Sequence, residues 1–148
     1  MFEPSKLTFL LENKYLCELP SPLGPLYILG AVGRRRLGLS PFYKSPPEAA
    51  ASQVVRRRVR KTLEAQQWHF VSKSRYNLHV FEREHRIYSA AKYEEYSART
   101  VRRLITAMKP RLIQESSYLL VWTERPYRLA PLRKNAYPLL HVSDLPKG

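Results

Sequence analysis

Cysteine is almost missing from this chain of 148 residues, in which Cys17 is the single example. One thiol cannot close an internal disulfide, so nothing in the sequence indicates an oxidising compartment. The four histidines show no metal-ligand spacing, and with a single cysteine the familiar zinc motifs cannot be built. We therefore expect no metal site.

Long apolar runs are also missing. The longest weakly polar stretch, residues 19–32, contains three prolines and falls short of the about 20 apolar residues that a membrane-spanning helix needs. The first fifteen residues carry two glutamates and no arginine, unlike a secretory signal or an arginine-rich presequence. We expect no transmembrane insertion and no recognisable N-terminal presequence.

Glycine is scarce, with five residues in the whole chain. Gly30 and Gly33 lack both the third glycine of a dinucleotide-binding turn and the Gly-Lys-Ser or Gly-Lys-Thr of a phosphate loop. No arrangement of nucleophile, base and orienting acid is evident in the sequence either. The sequence therefore predicts no cofactor, no small-molecule substrate and no enzymatic activity.

Acidic residues are few, 12 against 26 lysines and arginines, which gives a formal net charge of +14. A surplus of this size attracts polyanions, and the basic residues are mainly arginines, whose planar guanidinium groups suit phosphate contacts and base stacking. The charge is concentrated in residues 34–75, which hold 11 basic residues and 2 glutamates. RNA or DNA is the expected partner of this segment.

The composition predicts one small folded domain with extended arms. Leucine, valine, isoleucine and phenylalanine make up roughly a quarter of the chain, enough for a core, while 12 prolines favour extended segments. We predict an α+β, mainly helical fold with two or three helices, one or two short strands, and extended proline-rich N- and C-terminal arms. The predicted divisions are an arm at 1–44, a helical core at 45–123 and a basic tail at 124–148.

Proline positions and caps indicate the first elements. A short helix is expected between Pro4 and Pro20, followed by a basic loop at residues 34–36. The sequence Ser-Pro-Pro-Glu from residue 45 has the pattern of a capping box, with Pro at the first helical position. It predicts a helix over residues 46–68.

Apolar spacing indicates the remaining elements. We predict a short strand or hairpin arm within 68–80, a helix over 82–108 that Lys109 and Pro110 end, and a buried strand over 117–123. Beyond Glu124, prolines recur with basic and aromatic residues between them, which predicts an extended tail.

The helix over 46–68 is the strongest candidate for nucleic-acid contact. At about 100° per residue its apolar positions form one stripe and its arginines fall on the opposite side. A solvated helix face is the plainer alternative for such a run, and Tyr127 and Tyr137 of the tail could stack on bases or pack on a neighbouring protein. The candidate RNA-binding residues are Arg34, Arg35, Arg36, Arg56, Arg57, Arg60, Lys61, Arg99, Arg102, Arg103, Arg125, Arg128, Arg133 and Lys134.

An arginine-rich amphipathic helix, proline-punctuated arms and no catalytic constellation are together typical of a ribosomal protein. We expect a structural protein that binds rRNA and other ribosomal proteins as a member of a large hetero-assembly. A mitochondrial ribosome, and hence the mitochondrial matrix, is the favoured setting, because organellar ribosomes carry many accessory proteins of this character.

Two other functions remain open from the sequence. The chain could be a soluble accessory subunit of a mitochondrial membrane complex, such as a respiratory complex, that binds anionic lipid and partner subunits. It could also be a nucleic-acid-processing enzyme whose carboxylates hold magnesium, for which the only candidates are Glu82, Glu84, Glu94 and Glu95.

Overall fold

The computed structural model describes residues 4–19, 21, 23–38 and 47–147. The chain forms two compact units, which divide after Ala51. The described residues of the first unit that precede the helix at Pro47 form two short helices and a hairpin, not the extended N-terminal arm that we predicted. In chain order these are α1 (Pro4–Glu12), β1 (Leu16–Leu19), β2 (Leu26–Leu29) and α2 (Ala31–Arg36), with β1 and β2 antiparallel.

The basic segment at 34–36 is not the loop that we predicted, because it forms the end of α2. Gly33 does not interrupt the helix. It lies in the helix where a Cβ atom would come within 2.3 Å of the Tyr15 carbonyl oxygen, so glycine allows α2 to approach the backbone before β1. Three arginines in the last turn also suit the partial negative charge of a helix C-terminus.

The second unit begins within a long helix and is built around a sheet. Its elements are α3 (Pro47–Ala65, which starts in the first unit), β3 (His69–Lys73), β4 (His79–Glu82), β5 (Arg86–Ala90), α4 (Ala98–Glu115), β6 (Tyr118–Thr123), α5 (Ala130–Ala136) and β7 (Leu140–Asp144). Short 3-10 turns at Arg75–Asn77 and Pro126–Leu129 complete it.

The five strands of this unit form one mixed sheet in the order β3-β4-β5-β6-β7. The first three strands run antiparallel to one another, and β5, β6 and β7 are parallel. The prediction of a mainly helical fold with one or two short strands is therefore wrong. Parallel neighbours need long crossovers, and α4 and α5 with their flanking turns provide them.

Helices cover both faces of the five-stranded sheet. On one face, α3 buries Val55, Val59 and Leu63 against Phe81, Ile87 and Trp122. On the other face, α4 buries Val101, Leu104, Met108 and Leu112 against Val80, Tyr88, Leu119, Val121 and Leu140, with α5 beside it. Neighbouring residues of a strand point to opposite faces, so Val80 and Phe81 enter different halves of the core.

Four of the predicted elements are confirmed. The short helix expected between Pro4 and Pro20 exists as α1, and the short strand expected within 68–80 exists as β3. The helix expected over 46–68 exists as α3, and the apolar run expected to be a buried strand is β6. The serine proposed as the cap of α3, Ser45, lies outside the described residues.

The helix predicted over 82–108 is wrong in its first half. Residues 86–90 form β5, and α4 starts only at Ala98, where the Ser97 hydroxyl accepts a hydrogen bond from the Thr100 amide at 3.2 Å. Pro110 does not end α4, which continues to Glu115. Pro110 lies on the exposed side of the helix, where water can solvate the carbonyl group that the missing N–H leaves unbonded.

The C-terminal residues do not form the extended arm that we predicted. Pro126 and Pro131 each stand in the first turn of a helical segment, where a missing N–H costs nothing. The chain then returns as β7, which pairs with β6 along its whole length, from Leu140 to Asp144. Leu140 is fully buried. The C-terminal segment is thus part of the sheet.

Candidate nucleic-acid interface

Four of the five cations of α3 fall into two groups that differ in their distance from the buried stripe. Arg57 and Lys61 project roughly opposite the stripe of Val55, Val59 and Leu63, since each residue turns the helix by about 100°. Both side chains are exposed, and neither makes a hydrogen bond or an ion pair within the described part of the chain. These two residues form the outer cationic face of α3.

Arg56 and Arg60 lie instead on one flank of the stripe and turn toward the sheet. The Nε atom of Arg56 donates a hydrogen bond to the carbonyl oxygen of Ala91 at 2.9 Å, just beyond the end of β5. The guanidinium carbon of Arg60 stands 4.1 Å from the ring centroid of Phe70, and its Nε atom is 2.6 Å from Glu64. The hydrogen bond to the Ala91 carbonyl holds the Arg56 side chain in place.

Strands β3 and β4 add two more basic groups beside these arginines. Lys73 and His79 are direct partners in the antiparallel register, and the His79 ring lies 5.4 Å from that of Phe70. Basic groups placed directly opposite each other in a sheet repel when both are charged. We call Arg56, Arg60, Lys73 and His79 the cationic cluster.

The environment of His79 disfavours its charged form. Its pKa is lowered from 6.5 to about 4, first by burial and then by the positive charges of Arg56, Lys73 and Arg60. A phosphate group in this cluster would reverse the electrostatic part of that shift, since an anion stabilises imidazolium. The cluster therefore holds three cations, of which Arg60 is paired with Glu64, and one imidazole whose charge depends on its surroundings.

Acidification is expected to destabilise the protein through His79. The unfolded chain protonates this imidazole near pH 6.5 but the folded chain only near pH 4, so the contribution is complete above pH 6.5 and is lost as the pH falls toward 4. After allowance for solvent screening of this half-exposed group, we expect a loss of about 1 kcal/mol. Urea unfolding at pH 7.5 and pH 5.0 should show it.

The variant His79→Gln should lose this part of the pH dependence, whereas the variant His69→Gln at an exposed position should keep it. Carboxylates that titrate in the same pH range contribute equally to the unfolding free energy of each variant, so their contribution cancels when the variants are compared. An identical pH dependence in the wild type and in His79→Gln would contradict the expectation.

The other predicted cations lie apart from α3. Arg99, Arg102 and Arg103 are exposed on α4, on the opposite face of the sheet, and Arg133 and Lys134 are exposed on α5. Arg125 and Arg128 stand after β6, with an Arg128 guanidinium nitrogen 3.9 Å from a Glu95 carboxylate oxygen. The second unit as a whole holds 20 lysines and arginines and 8 acidic residues.

Arg34, Arg35 and Arg36 belong to the first unit. Arg35 and Arg36 are exposed, Arg34 is half-buried, and the guanidinium carbon of Arg36 lies 5.2 Å from the Tyr15 ring centroid. The fourteen candidate residues are thus distributed over α2, over α3 on one face of the sheet, and over α4, α5 and the turn after β6.

Sequence reasoning missed Lys73 and His79. Both stand in short strands, and only the pairing of β3 with β4 brings them beside the arginines of α3. The sequence could have predicted that Arg56 and Arg60 lie on a different side of α3 from Arg57 and Lys61, because this follows from helical geometry alone.

The carboxylates considered for magnesium chemistry do not come together. Glu82 pairs with Arg86 at the start of β5, while Glu95 follows the other end of β5 and accepts a hydrogen bond from the Thr123 hydroxyl at 2.9 Å. Glu84 and Glu94 are exposed. Among the described residues, no group of three or more histidine, cysteine, aspartate or glutamate side chains could hold a metal ion.

The helices of residues 4–19, 21, 23–38 and 47–147 include none that is both long and apolar enough to cross a membrane. No protein-family model matches the chain, and no curated protein or solved structure is significantly similar to it.

Proposed function

We propose that this chain is a structural rRNA-binding protein of a mitochondrial ribosome, where it holds rRNA and neighbouring ribosomal proteins in a large hetero-assembly of the matrix. Its part is positional rather than catalytic. Exposed arginines and lysines neutralise phosphates, and the shape of the RNA, rather than its base sequence, would select the site.

The placement of cations on both faces of the sheet is the observation that supports this proposal. The outer cationic face of α3 and the exposed arginines of α4 lie on opposite sides of a three-layered unit, separated by on the order of 20 Å of helix and sheet. Folded rRNA can surround a small protein and satisfy charges on several sides at once.

An anionic membrane surface fits this distribution less well. A bilayer is a plane that meets one face of a protein, and its field decays within a Debye length of about 8 Å at physiological salt. The arginines of α4 would then gain nothing from a membrane bound at α3. For this reason we favour RNA over the membrane-complex alternative.

Removing two cations from the outer cationic face of α3 tests the RNA contact. The double variant Arg57→Gln, Lys61→Gln is expected to bind a short RNA hairpin roughly tenfold or more weakly at 0.1 M salt. Because each phosphate contact contributes about 0.9 to the slope of log affinity against log salt, the slope should become shallower by about 1.8. Fluorescence anisotropy at several salt concentrations measures both.

The matched control is the double variant Lys6→Gln, Lys14→Gln, which removes the same charge from exposed positions of the first unit. It should retain the wild-type slope. Equal effects of the two double variants would show that net charge alone matters, and would count against α3 as the contact surface.

The ribosomal assignment has its own test in a mitochondrial lysate. Sedimentation through a density gradient should place the protein with ribosomal subunits, and ribonuclease treatment should remove it from those fractions. Persistent comigration with detergent-solubilised membrane complexes after ribonuclease treatment would favour the alternative function instead.

A further inference from the structure

Five aromatic rings of the second unit lie in one continuous row. Their ring centroids are separated in turn by 5.1, 5.5, 4.1 and 5.7 Å. The row runs through Trp68, His85, Tyr118, His141 and Tyr137, and we refer to these residues as the aromatic row. None of them belongs to the cationic cluster.

The topology of the sheet explains why these rings meet. Strands β5, β6 and β7 are parallel, so their amino ends share one edge of the sheet. His85 precedes β5, Tyr118 begins β6, and His141 is the second residue of β7. The row therefore crosses the amino edge of three strands, and Tyr137 extends it beyond the last one.

Four rings of the aromatic row reach the surface because α3 covers only part of this face of the sheet, whereas Trp68 is only 5% exposed. A helix is about 10 Å wide, about the width of two strand spacings, whereas five strands span four spacings of about 4.8 Å. On β7, His141 remains half-exposed on the α3 side while Leu140, on the other side, is fully buried. Tyr137 is 65% exposed and His85 is exposed as well.

An open groove shares Trp68 and Tyr118 with the aromatic row. Its volume is about 460 Å³, which lies within the usual range for sites that accept small planar groups. Tyr118 supplies an aromatic wall, Trp68 lines the groove with only 5% of its surface exposed, and Gln66, Ser143 and Asp144 supply an amide, a hydroxyl and a carboxylate. These polar groups could hydrogen-bond to the edge of a base that stacks on the wall.

The charges around the groove suit a base inside and a phosphate outside. Arg83 lines the groove and holds its guanidinium carbon 4.4 Å from the Trp68 ring centroid. Arg133 acts on His141, whose pKa is lowered by burial, by Arg133 and by His85. Asp144 would repel a phosphate within the groove but can accept a hydrogen bond from a base amine.

We propose that the aromatic row and its groove bind unpaired bases of the RNA. This inference rests on the proposed function and adds to it the class of RNA that is recognised, namely a single-stranded loop or end beside a duplex held by its phosphates. Aromatic side chains accept any base, because every base has a π face, so the contact selects for unpaired nucleotides rather than for a sequence.

The test compares single-stranded RNA, an abasic strand of the same length, and duplex RNA as ligands of the full chain. In the double variant Tyr118→Leu, Tyr137→Leu two rings are removed, and affinity for single-stranded RNA is expected to fall at least tenfold. Affinities for the abasic strand and the duplex should stay within twofold of the wild type. Fluorescence anisotropy at constant salt measures all three.

Two further variants separate stacking from folding. The pair Tyr118→Phe, Tyr137→Phe keeps both rings and should bind single-stranded RNA within twofold of the wild type. The variant Tyr76→Leu removes an exposed tyrosine outside the row and should have no effect. Thermal unfolding of each variant establishes that the sheet is intact.

The results that would overturn the inference differ from those that would overturn the proposed function. If the wild type binds RNA and the Leu pair binds single-stranded RNA equally well, the row is not a base site and the proposed function stands. An equal loss for single-stranded and abasic ligands also contradicts the inference, because bases are then not involved. If the wild type binds no RNA, the proposed function fails and the inference fails with it.

Discussion

Deletion of residues 137–148 is expected to abolish the cooperative unfolding transition of the second unit. The deletion removes β7, which pairs with β6 from Leu119 to Thr123 and fills the core with Leu140. Burial of one leucine contributes about 2 kcal/mol, and the loss of a whole strand adds the uncovered edge of β6. Domains are stable by only about 5–15 kcal/mol, so this loss is comparable to the total.

Circular dichroism during heating measures the effect. A shorter deletion of residues 146–148 is the control, because it keeps the hydrogen bond from the Leu145 amide to the Thr123 carbonyl at 3.1 Å. That protein should unfold close to the wild-type temperature. A sharp, unchanged transition after deletion of 137–148 would mean that the C-terminal residues are not part of the sheet.

The variant Phe81→Ala is expected to lower the free energy of unfolding by about 3–5 kcal/mol. Phe81 is fully buried in β4 on the face that α3 covers, and its ring lies 5.6 Å from that of Phe70. Truncation leaves a cavity between α3 and the sheet that neither can fill without moving. Urea unfolding followed by circular dichroism gives the free energy.

Tyr127→Ala is the matched control for Phe81→Ala, since it removes a ring of similar size from a position that is 70% exposed. Surface substitutions of this kind usually change stability by no more than about 0.5 kcal/mol. If Phe81→Ala were equally mild, α3 would not be packed on this face of the sheet.

The sequence predicts an element correctly where its residue pattern has only one structural interpretation. The stripe of Val55, Val59 and Leu63 keeps helical spacing without interruption, and α3 follows it. The six uncharged residues of β6 are too few for a helix and are bounded by polar residues, so a strand was the remaining choice.

The sequence does not identify a strand when both faces of the strand are buried, because apolar and polar residues then no longer alternate. Ile87 and Tyr88 of β5 are adjacent and both buried, because helices cover the sheet on each side. Such a strand shows no alternation of apolar and polar residues, and short apolar runs of this kind resemble helix. The strand was therefore assigned to a helix that begins only at Ala98.

Proline was the second source of error. The same residue type marks an extended arm, a helix start or an exposed helix position, and which of these applies depends on neighbours that are distant in sequence. Pro126 and Pro131 start helical segments and Pro110 lies within α4. Counting prolines therefore overestimated the extended part of the chain.

The candidate interface was predictable in its charge but not in its details. The exposed positions of Arg57 and Lys61 follow from the angle of each residue around α3. The neighbourhood of His79 depends on a strand register that includes an irregularity between Phe70 and Ser72, and a shift by one residue would turn Lys73 to the other face. Register of this kind is set by the whole sheet.

The order of β6 and β7 along the chain has a consequence for synthesis. During translation β6 emerges before its outer neighbour, and until β7 has followed it the segment Tyr-Leu-Leu-Val-Trp-Thr presents an unpaired edge without charge, proline or glycine. Segments of this composition are prone to intermolecular β pairing. A nascent chain that stalls or is cut between β6 and β7 is thus exposed to aggregation, and the pairing of β7 with β6 is what removes the hazard.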